Sequence, residues 1–271
     1  MYSKSHWLKK HPLLTYFILA YAFSWVFEFP LALSAQGLIQ KHIPFAIHYL
    51  AAYGPMLSAL IVTGWADGWH GLRELMARMT RWNTGPGWWL VASTPMVLYM
   101  LLAAILWLFE RGQINLVAMG QVDFLPKLGL AALPMWILTF GIGEETGWRG
   151  FALPRLQKGR SALTATLILW FFWALWHLPM FFYSYPTTII PGFLLGLLAG
   201  SITLTWLYNS TAGSILLVAV WHGLFNFTTA CVACKTGLVA AVISTIVMVW
   251  AVVVVFLFKS ANLSRGEKQM L

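Results

Sequence analysis

The chain has 271 residues, of which 60% are hydrophobic and only 9% charged, and its mean hydropathy is +0.74. Soluble domains carry about 25% charged residues, so this composition excludes a water-soluble globule and describes an integral membrane protein. The formal net charge of +9 flanks apolar runs and forms no basic stripe, which points to a membrane surface and away from nucleic acid.

A bilayer is crossed by about 20 apolar residues, and eight such runs are predicted: 13–35, 46–66, 87–109, 126–146, 161–183, 188–208, 212–230 and 237–258. The fold class is therefore all-α and polytopic, a single membrane domain over 1–271. The first run lacks a small-residue cleavage site after it, so it reads as a retained helix and not a signal peptide. Sixteen Trp residues suit interfacial belts.

Between the second and third runs lies "DGWHGLRELMARMTRWNTGPG", residues 67–87. Leu72, Leu75, Met76 and Met79 recur at helical spacing, with Arg73, Arg78 and Arg81 on other faces. That pattern predicts an amphipathic helix lying on the inner surface. Near the seventh run stands "CVAC"; Cys231 and Cys234 read as small apolar residues, since no βαβ pattern of a redox fold surrounds them.

Orientation is read from charge. With the N-terminus inside, the inner segments hold Lys4, Lys9, Lys10, Arg73, Arg78, Arg81, Arg155, Lys158, Arg160, Lys259, Arg265 and Lys268, and the outer ones hold only Lys41, Arg111, Lys127 and Lys235. This bias predicts both termini in the cytoplasm.

Few ionisable residues fall inside the runs. Glu28 and His48 read as satisfied buried groups. The rest cluster. In "GIGEETGWRG", residues 141–150, Glu145 and Arg149 are four apart and face each other on a helix, while Glu144 lies about 100° round and escapes that pairing. "FFWALWHLP" carries His177, and the turn-like "QKGRS" at 157–161 lies midway between it and Glu144. A helical hairpin folded there brings this carboxylate and imidazole to one depth, where they can share a water. In "WHGLFN", His222 and Asn226 are again four apart, two hydrogen-bond donors side by side that suit a developing oxyanion.

These three stretches resemble the motifs of the CPBP family, also called the ABI or type II CAAX prenyl endopeptidase family of intramembrane proteases. "EETGWRG" matches its E-E-x-x-x-R motif, His177 the histidine of F-x-x-x-H, and His222 with Asn226 its H-x-x-x-N. One position departs: Trp173 stands where the pattern has Phe, an aromatic for an aromatic, so the packing role survives. The protease-like core is placed at about 126–230. The resemblance implies that Glu144 and His177 activate the attacking water, Glu145 and Arg149 orient the site, and His222 and Asn226 hold the oxyanion. It implies as substrate a prenylated, membrane-anchored or otherwise lipophilic protein or peptide.

Other protease chemistries lack their residues. The two aspartates, Asp67 and Asp123, fall in predicted loops, and neither a G-x-S-x-G elbow nor an H-E-x-x-H helix is present. Glu144, His177 and His222 also compose a two-His, one-carboxylate set that zinc accepts. The preferred expectation is no cofactor, because Asn226 beside His222 reads better as an oxyanion pair than as a ligand with its orienter. The alternative function is a non-catalytic immunity or scaffold protein of the same fold; a proton-coupled transporter is disfavoured because no paired half-repeats with broken helices are seen.

Overall fold

A computed structural model describes residues 10–109, 129–230 and 238–271. Cys231, Cys234 and Asp123 lie outside the described residues. The described chain is all-α: α1 (Pro12–Ala35), α2 (Phe45–Ala66), α3 (Gly68–Met79), α4 (Pro86–Ala92), α5 (Thr94–Phe109), α6 (129–157), α7 (Ala162–Trp176), α8 (Ile190–Ser210), α9 (Ile215–Ala230) and α10 (Leu238–Asn262).

Not every one of the eight expected spans is a long regular helix. Among the described residues, five helices are long and apolar enough to cross a membrane, or six if α4 and α5, bent by 58°, count as one. Pro95 sits in the first turn of α5, where a proline is tolerated but cannot continue the ladder of α4. α9 is apolar but shorter. α6 does not run as one regular helix. Its Ile137–Glu144 and Trp148–Ala152 stretches are π-helical, with short α-helical turns at Leu133–Trp136, Glu145–Gly147 and Leu153–Gln157. π-turns are rare and concentrate at functional sites, and the first of these ends on Glu144.

α6 sits at the centre, with α9 and α2 against its π-helical half. Glycines set that closeness: a Cβ on Gly143 would stand 2.7 Å from the Ala52 carbonyl oxygen, and one on Gly223 would stand 2.7 Å from Cα of Ile137. In lipid, helices associate by close van der Waals packing and polar contacts, not by a hydrophobic drive. Large aromatics serve the same end. Trp148, Trp176 and Trp221 are fully buried in the main core, so these tryptophans are not in the interfacial belts that composition suggested. Trp65, Trp69 and Trp82, around α3, are exposed and do suit such a belt.

The α3 expectation holds in form. Leu75 is buried and Met76 and Trp69 are exposed for a lipid surface, but Arg78 turns inward and donates to the Gly150 carbonyl at 2.9 Å and to the Tyr208 hydroxyl at 2.7 Å. Arg155, near the C-terminal end of α6, pairs with Asp67 ahead of α3. The amphipathic helix is thus fastened to the C-terminal end of the central helix. On the far side, α1 is fastened to α7: Tyr21 Oη donates to the Phe172 carbonyl at 2.7 Å and Trp25 Nε1 to the Trp176 carbonyl at 3.0 Å, one of the carbonyls a helix end leaves unpaired.

Candidate active site

The expected hairpin forms. α6 and α7 are joined by a turn at 158–160, and residues of the two helices meet deep between them. Glu144, Glu145 and Arg149 come from α6, His177 caps the C-terminus of α7, and His222 and Asn226 come from α9. All six lie in one region, and all but Asn226 are buried.

One half of the site is ionic. Arg149 Nη1 donates to Glu145 Oε1 at 2.9 Å, and both side chains are fully buried. Arg149 Nη2 donates to the Ser201 hydroxyl of α8 at 3.1 Å. His222 Nδ1 stands 2.8 Å from the same Glu145 oxygen, off the line of a hydrogen bond, and His222 Nε2 is 3.2 Å from Asn226 Nδ2. Glu145 therefore joins α6 to α9 as well as to its own helix. A buried ion pair needs such supplementary partners, because desolvation otherwise outweighs the Coulomb gain.

The other half hangs on α7. Trp173 Nε1 donates to Glu144 Oε2 at 3.0 Å, and the Trp173 carbonyl lies 2.7 Å from His177 Nδ1. A carbonyl only accepts, so this contact places a proton on Nδ1 and leaves His177 Nε2 as a bare acceptor. Among the described residues neither Glu144 Oε1 nor His177 Nε2 has a hydrogen-bond partner. Glu144 and His177 do not touch each other; Trp173 connects them. The Trp173 ring also joins the halves, with the Arg149 guanidinium 4.4 Å from its centre and the His222 ring edge-on at 5.5 Å.

Sequence reasoning named the six polar residues but missed Trp173 and Ser201 as participants. Trp173 was visible as a departure from the motif. Ser201 carried the weaker signal of a hydroxyl in an apolar helix.

Glu28 and His48 belong to a separate buried cluster. The Tyr183 hydroxyl donates to Glu28 Oε1 at 3.2 Å and lies 2.8 Å from His48 Nδ1. Neither residue enters the site above.

The arrangement does not fit zinc as folded. His222 presents one ring nitrogen to Glu145 and the other to Asn226. His177 and Glu144 each have one atom engaged by Trp173, and no three His, Cys, Asp or Glu side chains converge for a metal among the described residues. What the geometry offers is two free acceptors on one side and an imidazole–amide pair on the other. That is the equipment for deprotonating a water and stabilising an anion.

Residues 126–228 match the family model described as type II CAAX prenyl endopeptidase Rce1-like. The chain is similar to "CAAX prenyl protease 2" of Methanococcus maripaludis, with 36% identity over 115 residues, covering 39% of this chain and 40% of that relative. The similarity to that relative thus spans less than half of either protein, and the family-model match over 126–228 contains every residue of the site.

Proposed function

We propose, from the match of residues 126–228 to the Rce1-like type II CAAX prenyl endopeptidase model, that this protein is an intramembrane endopeptidase acting on prenylated or otherwise lipid-anchored proteins. The observation that carries the reading is the pair of uncommitted acceptors, Glu144 Oε1 and His177 Nε2, held by one residue across from His222 and Asn226.

A water placed between these acceptors donates one hydrogen to each. Glu144 takes a proton as the water oxygen attacks the scissile carbonyl carbon, and the carbonyl π electrons move to oxygen. Asn226 donates one amide hydrogen to His222 Nε2, which orients it, and the other to the new oxyanion. On collapse the C–N bond breaks, and the proton held by Glu144 passes to the leaving amine. Arg149 holds Glu145 in place by their 2.9 Å contact and does no proton chemistry itself. The reaction is balanced by these side chains and water, without a cofactor.

The test is hydrolysis of a farnesylated CAAX-type peptide by protein reconstituted in liposomes. The wild type releases the C-terminal tripeptide, Glu144→Gln does not, and a chelator leaves the wild type active. Full activity in Glu144→Gln refutes the base. Loss with chelator, restored by zinc, refutes the metal-free chemistry.

A further inference from the structure

Six tryptophans are buried among the described residues: Trp136, Trp148, Trp173, Trp176, Trp206 and Trp221. Five of them have a buried indole N–H with no hydrogen-bond partner. Trp173 is the sixth, and its N–H is spent on Glu144 Oε2 at 3.0 Å. In this core an indole is used mainly as a packing block, so a paired N–H is the exception and its partner is informative. That partner is the carboxylate assigned to take the proton from water.

We infer that Trp173 is a positioning residue for catalysis, whose indole N–H fixes one oxygen of Glu144 and aims the other at the water. This rests on the assignment of Glu144 as the base. The physical reason is rotational. A Glu side chain has a broad terminal torsion, and no other hydrogen bond holds Glu144 among the described residues. A donor on Oε2 limits that torsion and leaves Oε1 pointed. The family pattern has Phe here. Phenylalanine keeps the backbone carbonyl that engages His177 and offers a ring to Arg149 and His222, but it has no donor. The N–H is therefore what this chain adds to that pattern.

Two substitutions separate the donor from the ring. Trp173→Phe restores the family's residue. Benzothienylalanine incorporated at position 173 keeps the bicyclic shape and replaces N–H by sulfur. In both, kcat on the farnesylated peptide is expected to fall roughly 10- to 100-fold, the range for losing a hydrogen bond to a charged group, with KM within about twofold and the melting temperature unchanged in the benzothienyl protein. A second measurement needs no substrate. In protein labelled with ¹⁵N at the indoles, the Trp173 resonance, identified by its loss in Trp173→Phe, is expected to move in Glu144→Gln.

Wild-type kcat in the benzothienyl protein overturns the inference, whatever Trp173→Phe does to stability. So does an indole resonance indifferent to Glu144→Gln. If instead Glu144→Gln cleaves at the wild-type rate, the assignment of the base is what falls, and the resonance still reports whether the N–H sits on that carboxylate.

Discussion

Glu144 and Glu145 are adjacent in sequence, yet their surroundings give them opposite duties. Glu145 is closed in by Arg149 and His222, and Glu144 has one oxygen on Trp173 and one uncommitted. Substitution should separate them. Arg149→Ala strands a fully buried carboxylate, and Glu145→Gln strands a fully buried guanidinium. Each is expected to cost about 3–5 kcal/mol in stability, read as a lowered melting temperature in detergent. Glu144→Gln keeps the indole hydrogen bond to a carbonyl oxygen and should melt within about 0.5 kcal/mol of wild type while losing cleavage. The ion pair was legible in the sequence because four-residue spacing dictates it. The Trp173 hydrogen bond was not, because reading aromatic for aromatic counts ring volume and overlooks the N–H.

At the scale of the element, the apolar run marks the position of α6 but not its type. Hydropathy registers apolar residues and is blind to whether the backbone closes four or five residues back. Gly141, Gly143, Gly147 and Gly150 all fall within α6. The chain continues helically through all four, and Gly143 serves closeness to α2. Gly143→Ala drives a Cβ to within 2.7 Å of the Ala52 backbone oxygen, which cannot yield as a side chain can. The expected loss is about 1–3 kcal/mol, with cleavage reduced as α6 is displaced. Gly200 of α8 has nothing within 4 Å of its built Cβ. Gly200→Ala should therefore be neutral or stabilising by up to about 1 kcal/mol. Equal melting shifts for the two substitutions would contradict this use of Gly143.

For the whole molecule, the charge bias and the fastening of α3 make one statement about topology. The segment 67–87 carries arginines and exposed Trp69 and Trp82, and it contacts the end of α6 through Arg78 and Asp67. It should lie on the cytoplasmic surface with both termini. In protein with Cys231 and Cys234 replaced by Ser, Asn83→Cys is expected to react with an impermeant maleimide only in inside-out vesicles. Labelling in right-side-out vesicles would invert the assignment. The all-α polytopic class was legible because composition and run length fix it. The number of crossings was not, because a bent pair, a short helix and a π-helical segment all read as plain apolar runs.

The most direct test of the central claim, that Glu144 drives peptide hydrolysis in the membrane, requires no choice of substrate. New protein termini are mapped in membranes from cells making the wild type or Glu144→Gln at matched levels. The account expects termini that arise with the wild type and are missing with Glu144→Gln, on proteins anchored in the same membrane. Identical termini in the two samples, with a wild-type phenotype preserved by Glu144→Gln, would contradict it and leave the polar cluster as the core of a binding protein.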